Sequence, residues 1–222
     1  MKYFSEDFNN FFKELAPNNN KDWFDQNRER YHKSIKEPFE RFISDLVDEL
    51  KKEDPRLNIN PKSAIFRINR DIRFSKDKSP YKLNRSAAIA PDGKKSISRG
   101  GIYIELGPER VMIGGGAFQP SKEELQQLRG YIASHPKKFR EALEHPDFIE
   151  VYEDVHGEEN KRLPTKALTE AAKKEPLIYK KSLYYFAEFS PDWVTSDDLM
   201  PFVLEKHAAS KPLRTFIAGA VS

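Results

Sequence analysis

The first 52 residues repeat apolar side chains at intervals of three and four, the spacing of a buried helix face. Phe8, Phe11, Phe12 and Leu15 form the first such face, with Ser5 placed to cap its helix. The stretch APNNN at 16–20 breaks the pattern, and Asn20 is positioned to cap a second helix through Trp23, Phe24, Tyr31 and Ile35. Pro38 either kinks that helix or occupies the first turn of a new one. Phe39, Phe42, Ile43, Leu46, Val47 and Leu50 then form an unbroken apolar stripe that ends before DPRLNINP.

After Pro61 the pattern changes. SAIFRIN, SAAIAPDG, GIYIELG and RVMIGGGAF are short and rich in β-branched or aromatic residues. Turn sequences separate them, among them Pro91-Asp92-Gly93 and Gly107-Pro108-Glu109. Consecutive strands with short connections predict an antiparallel meander. Ser121 and Glu124 have the capping-box spacing and open a helix with Leu125, Leu128 and Ile132 on one face. Shorter helices are expected at 136–144 and 165–174, a further strand at LYYFAEFS (183–190), and a last segment capped by Ser196 and interrupted near Pro201 and Pro212. With no repeat and no linker, residues 1–222 read as a single α+β domain: a helical N-terminal part, an antiparallel β-sheet meander, and further helices packed on the sheet.

Composition narrows the chemistry. The chain has no cysteine, which removes disulfides and thiolate nucleophiles. No run approaches the roughly 20 apolar residues of a membrane span, and the opening MKYFSEDFNN lacks the apolar core of a signal peptide. The expectation is a cytoplasmic protein with no membrane partner. His32, His135, His145, His156 and His207 lack metal-ligand spacing, and no GxSxG or SxxK pattern occurs, so neither a metal site nor a familiar nucleophile is expected.

The net charge of +3 conceals an uneven distribution: residues 67–85 carry +5 and residues 141–160 carry −8. The basic segment is FRINRDIRFSKDKSPYK at 66–82. If 65–71 is extended, Phe66 and Ile68 face the core while Arg67, Asn69 and Asp71 share the other face. Arg70, Arg73 and Lys76 follow as the chain leaves the sheet. Guanidinium forks suit phosphate and carboxylate, and lysine adds a point charge. Asp71 is placed to orient a neighbouring arginine, and it is the best candidate for a general base. Tyr81, Lys82 and Trp23 are candidates for contacting the rest of a ligand. Gly114-Gly115-Gly116 lacks the spacing of a phosphate loop and reads as a bulge, or as a place where another backbone or a ligand comes close.

The string FRI-x-RD-x-RFSKDK-x-PYK, with NNNKDWFDQNRERY upstream and GGG-x-F-x-P downstream, resembles a widespread family of conserved hypothetical proteins classed as a domain of unknown function. The resemblance runs from about residue 4 to about residue 215 and implies a single α+β domain with no established activity. Asn18, Asn19, Trp23, Phe24, Arg67, Arg70, Asp71, Arg73, Phe74, Lys76, Asp77, Tyr81, Lys82 and Gly114–Gly116 match the family's pattern, which gives none of them a role.

The leading functional expectation is a pocket for a phosphorylated or carboxylated small ligand. In it Arg67, Asn69, Arg70, Arg73 and Lys76 surround the anion, with no cofactor specified. The second is a nucleic-acid-backbone track along the same basic stretch. The third is a protein-interaction domain in which the basic and acidic segments pair between chains. The sequence specifies no reaction.

Overall fold

In the computed structural model, residues 1–91, 93 and 98–221 are described. Four strands form one antiparallel sheet in the order β1-β2-β3-β4: β1 Arg85–Ile89, β2 Ile102–Leu106, β3 Val111–Ala117 and β4 Leu183–Phe189. This is the expected meander, with the 65 residues between β3 and β4 supplying most of one helical layer. The turn at Gly107 closes with its amide on the Arg110 carbonyl at 3.1 Å. The turn expected at Pro91-Asp92-Gly93 includes Asp92, which lies outside the described residues.

The N-terminal helices follow the apolar stripes. Helix α1 (Asp7–Leu15) and helix α4 (Glu37–Glu53) bury every stripe residue named above. Between them lie α2 (Lys21–Gln26) and α3 (Arg28–Tyr31). Asn20 caps α2 as expected, accepting from the Trp23 amide at 3.0 Å. Ser5 does not act through its side chain. Its carbonyl accepts the Phe8 amide instead, and Glu6 occupies the cap position. Pro38 occupies the first turn of α4, the second of the two alternatives, and a π-helical turn at His32–Lys36 carries the chain into that helix. The widened turn accommodates a residue that donates no hydrogen bond and crowds the carbonyl four residues back.

The largest correction concerns SAIFRIN. Pro61–Ala64 forms a short helix, α5, with Asn60 accepting from the Lys62 amide. The residues after it make only isolated bridges, Ile65 with Ala87 and Asn69 with Tyr81. Backbone bonds Phe66 N–H to Ser86 O, Arg70 N–H to Pro80 O and Lys82 N–H to Ile68 O hold 65–82 as an irregular ribbon off the edge of β1. Phe66 and Ile68 therefore do not share a face: Ile68 joins the core and Phe66 does not.

Strand alternation sorts the sheet's side chains. On one face Ala87, Ile89, Ile102, Ile104, Leu106, Val111 and Ile113 join the cluster built by α1–α4. Further along the same face Ala117, Leu183 and Tyr185 join a second cluster. That cluster is built by α6 (Lys122–Ser134), α7 (Pro136–Leu143), α8 (Pro146–Tyr152), α9 (Lys166–Ala172) and α11 (Lys211–Ala220). Helix α10 (Leu199–Ala209) contributes to both. The capping box of α6 forms in both directions, Glu124 N–H to Ser121 Oγ and Ser121 N–H to the Glu124 carboxylate. Ser196 accepts the Asp198 amide at 3.1 Å one turn ahead of α10, and Pro201 and Pro212 sit inside the first turns of α10 and α11. Helix α8 was not expected from the sequence.

His207 on α10 is buried, and that burial, with Arg214 nearby, pushes its pKa down to about 3. Its folded pKa lies below the unfolded value near 6.5, so its contribution is intact above pH 6.5 and is lost as pH falls towards 3. Urea unfolding should show about 2 kcal/mol of stability lost to this group between pH 6.5 and pH 5. The His207→Gln protein should lack that component of the slope, measured as a flatter ΔG against pH over the same interval.

Candidate functional site

The basic segment satisfies much of its own charge. Arg73 clasps Asp71 with two hydrogen bonds, Nε to Oδ1 at 2.9 Å and an Nη to Oδ2 at 2.7 Å. Arg70 pairs with Asp77, which also accepts from the Ser79 amide and hydroxyl at 2.9 and 2.6 Å. Lys78 donates to the Ile72 carbonyl at 2.9 Å. The hydrogen bonds from Arg73 hold Asp71 down at about pKa 2, and those from Ser79 and Arg70 hold Asp77 far below the usual range. Asp71 is thus ionised and weakly basic, a good partner for a guanidinium and a poor proton acceptor at neutral pH. Arg67, Asn69 and Lys76 are exposed, and among the described residues Arg67 and Lys76 have no ion pair. Phe74 projects with 96% of its surface exposed, with the Arg73 guanidinium 5.9 Å from its ring centre.

Other predicted site residues do structural work. Tyr81 is buried and stacks on Phe24 with ring centres 4.0 Å apart. Asn19 locks it there: its side-chain amide donates to the Tyr81 carbonyl at 2.9 Å, and its oxygen accepts the Tyr81 amide at 3.1 Å. Trp23 packs against Phe11 at 5.5 Å, in the N-terminal cluster. Arg85, counted in the basic stretch from sequence, is buried over the Phe39 ring at 5.4 Å, and its burial lowers its pKa.

The sheet's second face carries a groove of about 800 Å³. Cross-strand register places two rows along it: Ala88, Tyr103, Gly114 and Phe186, then Ser86, Glu105, Met112 and Glu188. Phe66, Tyr103, Phe118, Tyr184 and Phe186 line the groove, with Met112 and Gly114 at its floor. One end is polar through Tyr103, whose hydroxyl donates to Glu105 at 2.9 Å, and Arg110, which spans Glu105 at 3.4 Å and Glu188 at 3.1 Å. Burial, reinforced by Glu105, raises the Tyr103 pKa and keeps that hydroxyl protonated. Gln119, Ser121 and Glu124 close the other end. The edge towards the basic ribbon is Phe66, whose ring lies under the Lys82 ammonium at 5.3 Å. A second cavity, beside His207 and Arg214, measures about 20 Å³ and has room for one water.

Sequence reasoning did not find this groove. The available signal was the alternate phase of two strands: Tyr103 and Glu105 in GIYIELG, and Tyr184, Phe186 and Glu188 in LYYFAEF, all on the face away from the helices. Gly114–Gly116 do not form a bulge, because strand pairing runs through all three. Gly116 has φ +93°, and a Cβ there would lie 2.6 Å from the Leu183 carbonyl oxygen.

Fold and groove together define an α+β protein whose meander is covered by helices on one face and carries an aromatic-lined groove on the other. The chain belongs to the DUF2461 family of conserved hypothetical proteins, whose model matches residues 7–216. No curated protein and no solved structure gave a match. Among the described residues, no helix is long and apolar enough to cross a membrane and no group of three or more His, Cys, Asp or Glu side chains is placed to hold a metal ion.

Asn19→Ala leaves the Tyr81 backbone without both of its side-chain partners. It should cost about 1–3 kcal/mol in chemical denaturation. Amide exchange should accelerate at Tyr81 and Lys82 more than in β1–β4.

Proposed function

We propose that this protein binds a small phosphorylated or carboxylated ligand, with the ligand's body in the groove and its anionic group at the Phe66–Lys82 edge. The observation that carries this reading is that Phe66 belongs to both features: it lines the groove, and it lies under a cation of the basic ribbon. An aromatic-lined concavity of this size is of the kind that takes small molecules, with a few polar groups fixing orientation. Glu105, Glu188 and Glu124 make the groove's two polar ends unfavourable for an anion, which favours its placement beside Lys82 at the Phe66 edge. Arg70 and Arg73, engaged by Asp77 and Asp71, hold the ribbon's shape in this reading, and Arg67 and Lys76 are exposed cations of the same ribbon.

A second reading keeps one specific observation in its favour. The exposed Phe74, flanked by Arg73, Lys76 and Lys78, is suited to touch a single-stranded nucleic acid by stacking and backbone charge. The two readings differ in salt dependence, because counterion release scales with the number of phosphates contacted.

Thermal-shift and calorimetric titration with sugar phosphates, mononucleotides, aromatic carboxylates and short oligonucleotides separates them. The pocket reading expects one small anionic class to stabilise the fold, by about 2.7 kcal/mol at a hundredfold excess over Kd. It expects Phe66→Ala and Lys82→Ala to abolish that effect, and Phe74→Ala to leave it intact. Stabilisation by oligonucleotides alone, with a steep salt slope and sensitivity to Phe74→Ala, would overturn it in favour of the track.

A further inference from the structure

We propose that the groove takes a planar aromatic or heteroaromatic ring, inserted edge-first between Tyr103 and Phe186 above Gly114; this rests on the groove being the ligand site. Tyr103, Gly114 and Phe186 are direct cross-strand neighbours on β2, β3 and β4. The two aromatic residues are therefore separated by two inter-strand spacings, about 9.5 Å between their backbones. A planar ring in van der Waals contact on both faces needs about 7–8 Å between its neighbours. The middle position carries no side chain, so the space over β3 is left clear down to the backbone.

That clearance is imposed by packing. A Cβ on Gly114 would lie 2.4 Å from the Tyr185 carbonyl oxygen and 2.9 Å from the Phe186 Cβ. The close approach of β3 to β4 thus excludes every residue but glycine at the floor of the slot. Both walls are braced. His156 pairs with β4 along the edge away from β3, and its ring lies 4.6 Å from that of Phe186. Tyr184 runs nearly parallel to Phe186, at 15° and 6.3 Å, with Phe118 edge-on against it at 5.1 Å. On the other side, the bond to Glu105 fixes the Tyr103 hydroxyl, and Phe66 lies 6.3 Å from its ring. Walls held in this way present their faces without an ordering cost when a ligand enters. The ring is the part of the ligand that the slot selects, and the anion at Lys82 is the part the rim selects.

Two acids matched in charge and skeleton test the slot: 2-naphthoate, which is flat, and decahydro-2-naphthoate, which is not. Each is titrated into the ¹⁵N-labelled full chain. The slot reading expects naphthoate to bind about tenfold more tightly, with ring-current shifts at the Gly114 and Gly115 amides. Phe186→Leu and Tyr103→Leu keep apolar bulk but remove the aromatic face, and should each reduce the preference for naphthoate over the saturated acid about 3- to 10-fold. If both acids bind with equal affinity and perturb Met112 and Phe186 alike, the slot is wrong and the groove stands. If neither acid perturbs any groove residue, or shifts appear only around Arg73 and Lys76, the slot and the groove site both fall. The wild-type comparison decides these outcomes even if a variant does not fold.

Discussion

Strand alternation sends Ile102, Ile104, Leu106, Val111, Ile113 and Tyr185 to one face of a four-stranded meander, and both groups of helices pack there. Burying each such side chain contributes about 1.5–3 kcal/mol, so this face anchors the molecule. The exposed ion pairs of the basic ribbon contribute far less and serve to shape it. Once the helices have taken one face, the same alternation leaves Tyr103, Met112, Tyr184 and Phe186 on the other, where they line the groove instead of a core.

The groove and the ribbon are coupled by the chain itself. Segment 65–82 is bridged to β1 at Ile65 and to itself between Asn69 and Tyr81, and Asn19 and Phe24 fasten Tyr81 to the N-terminal helices. Phe66 and Lys82, close to the two ends of that excursion, sit together at the groove's edge. A residue in the N-terminal helical part therefore helps set the position of the ribbon's cations, which is a physical reason for the motif around Asn19 and the motif around Arg67 to occur in one chain.

The helical faces were legible because their signal is local: α1 and α4 bury the residues whose spacing marked them. The meander was legible from turns and alternation, and the capping box of α6 from two residues. The strand at SAIFRIN was misread because β-branched and aromatic composition also suits a ribbon that makes only two bridges, and Asn60-Pro61 starts a helix there. Within the candidate site, the cations were visible and their partners were not. Asp71 and Asp77 sit two and seven residues from the arginines they engage, and the register of those pairs depends on how the loop folds. The groove was invisible for a different reason: Tyr103, Gly114 and Phe186 are distant in sequence and become neighbours only through strand pairing.

The central claim is that a ligand occupies the groove on the sheet face opposite the two core clusters, and the chain's three methionines provide the direct test. Met112 lies on the groove floor, Met200 packs against the N-terminal core and Met1 is exposed. With ¹³C-methyl methionine, titration by the small anionic ligand that stabilises the fold should shift the Met112 signal saturably and leave those of Met1 and Met200 in place. A saturable stabilisation with Met112 unmoved would contradict the account and put the ligand elsewhere on the molecule.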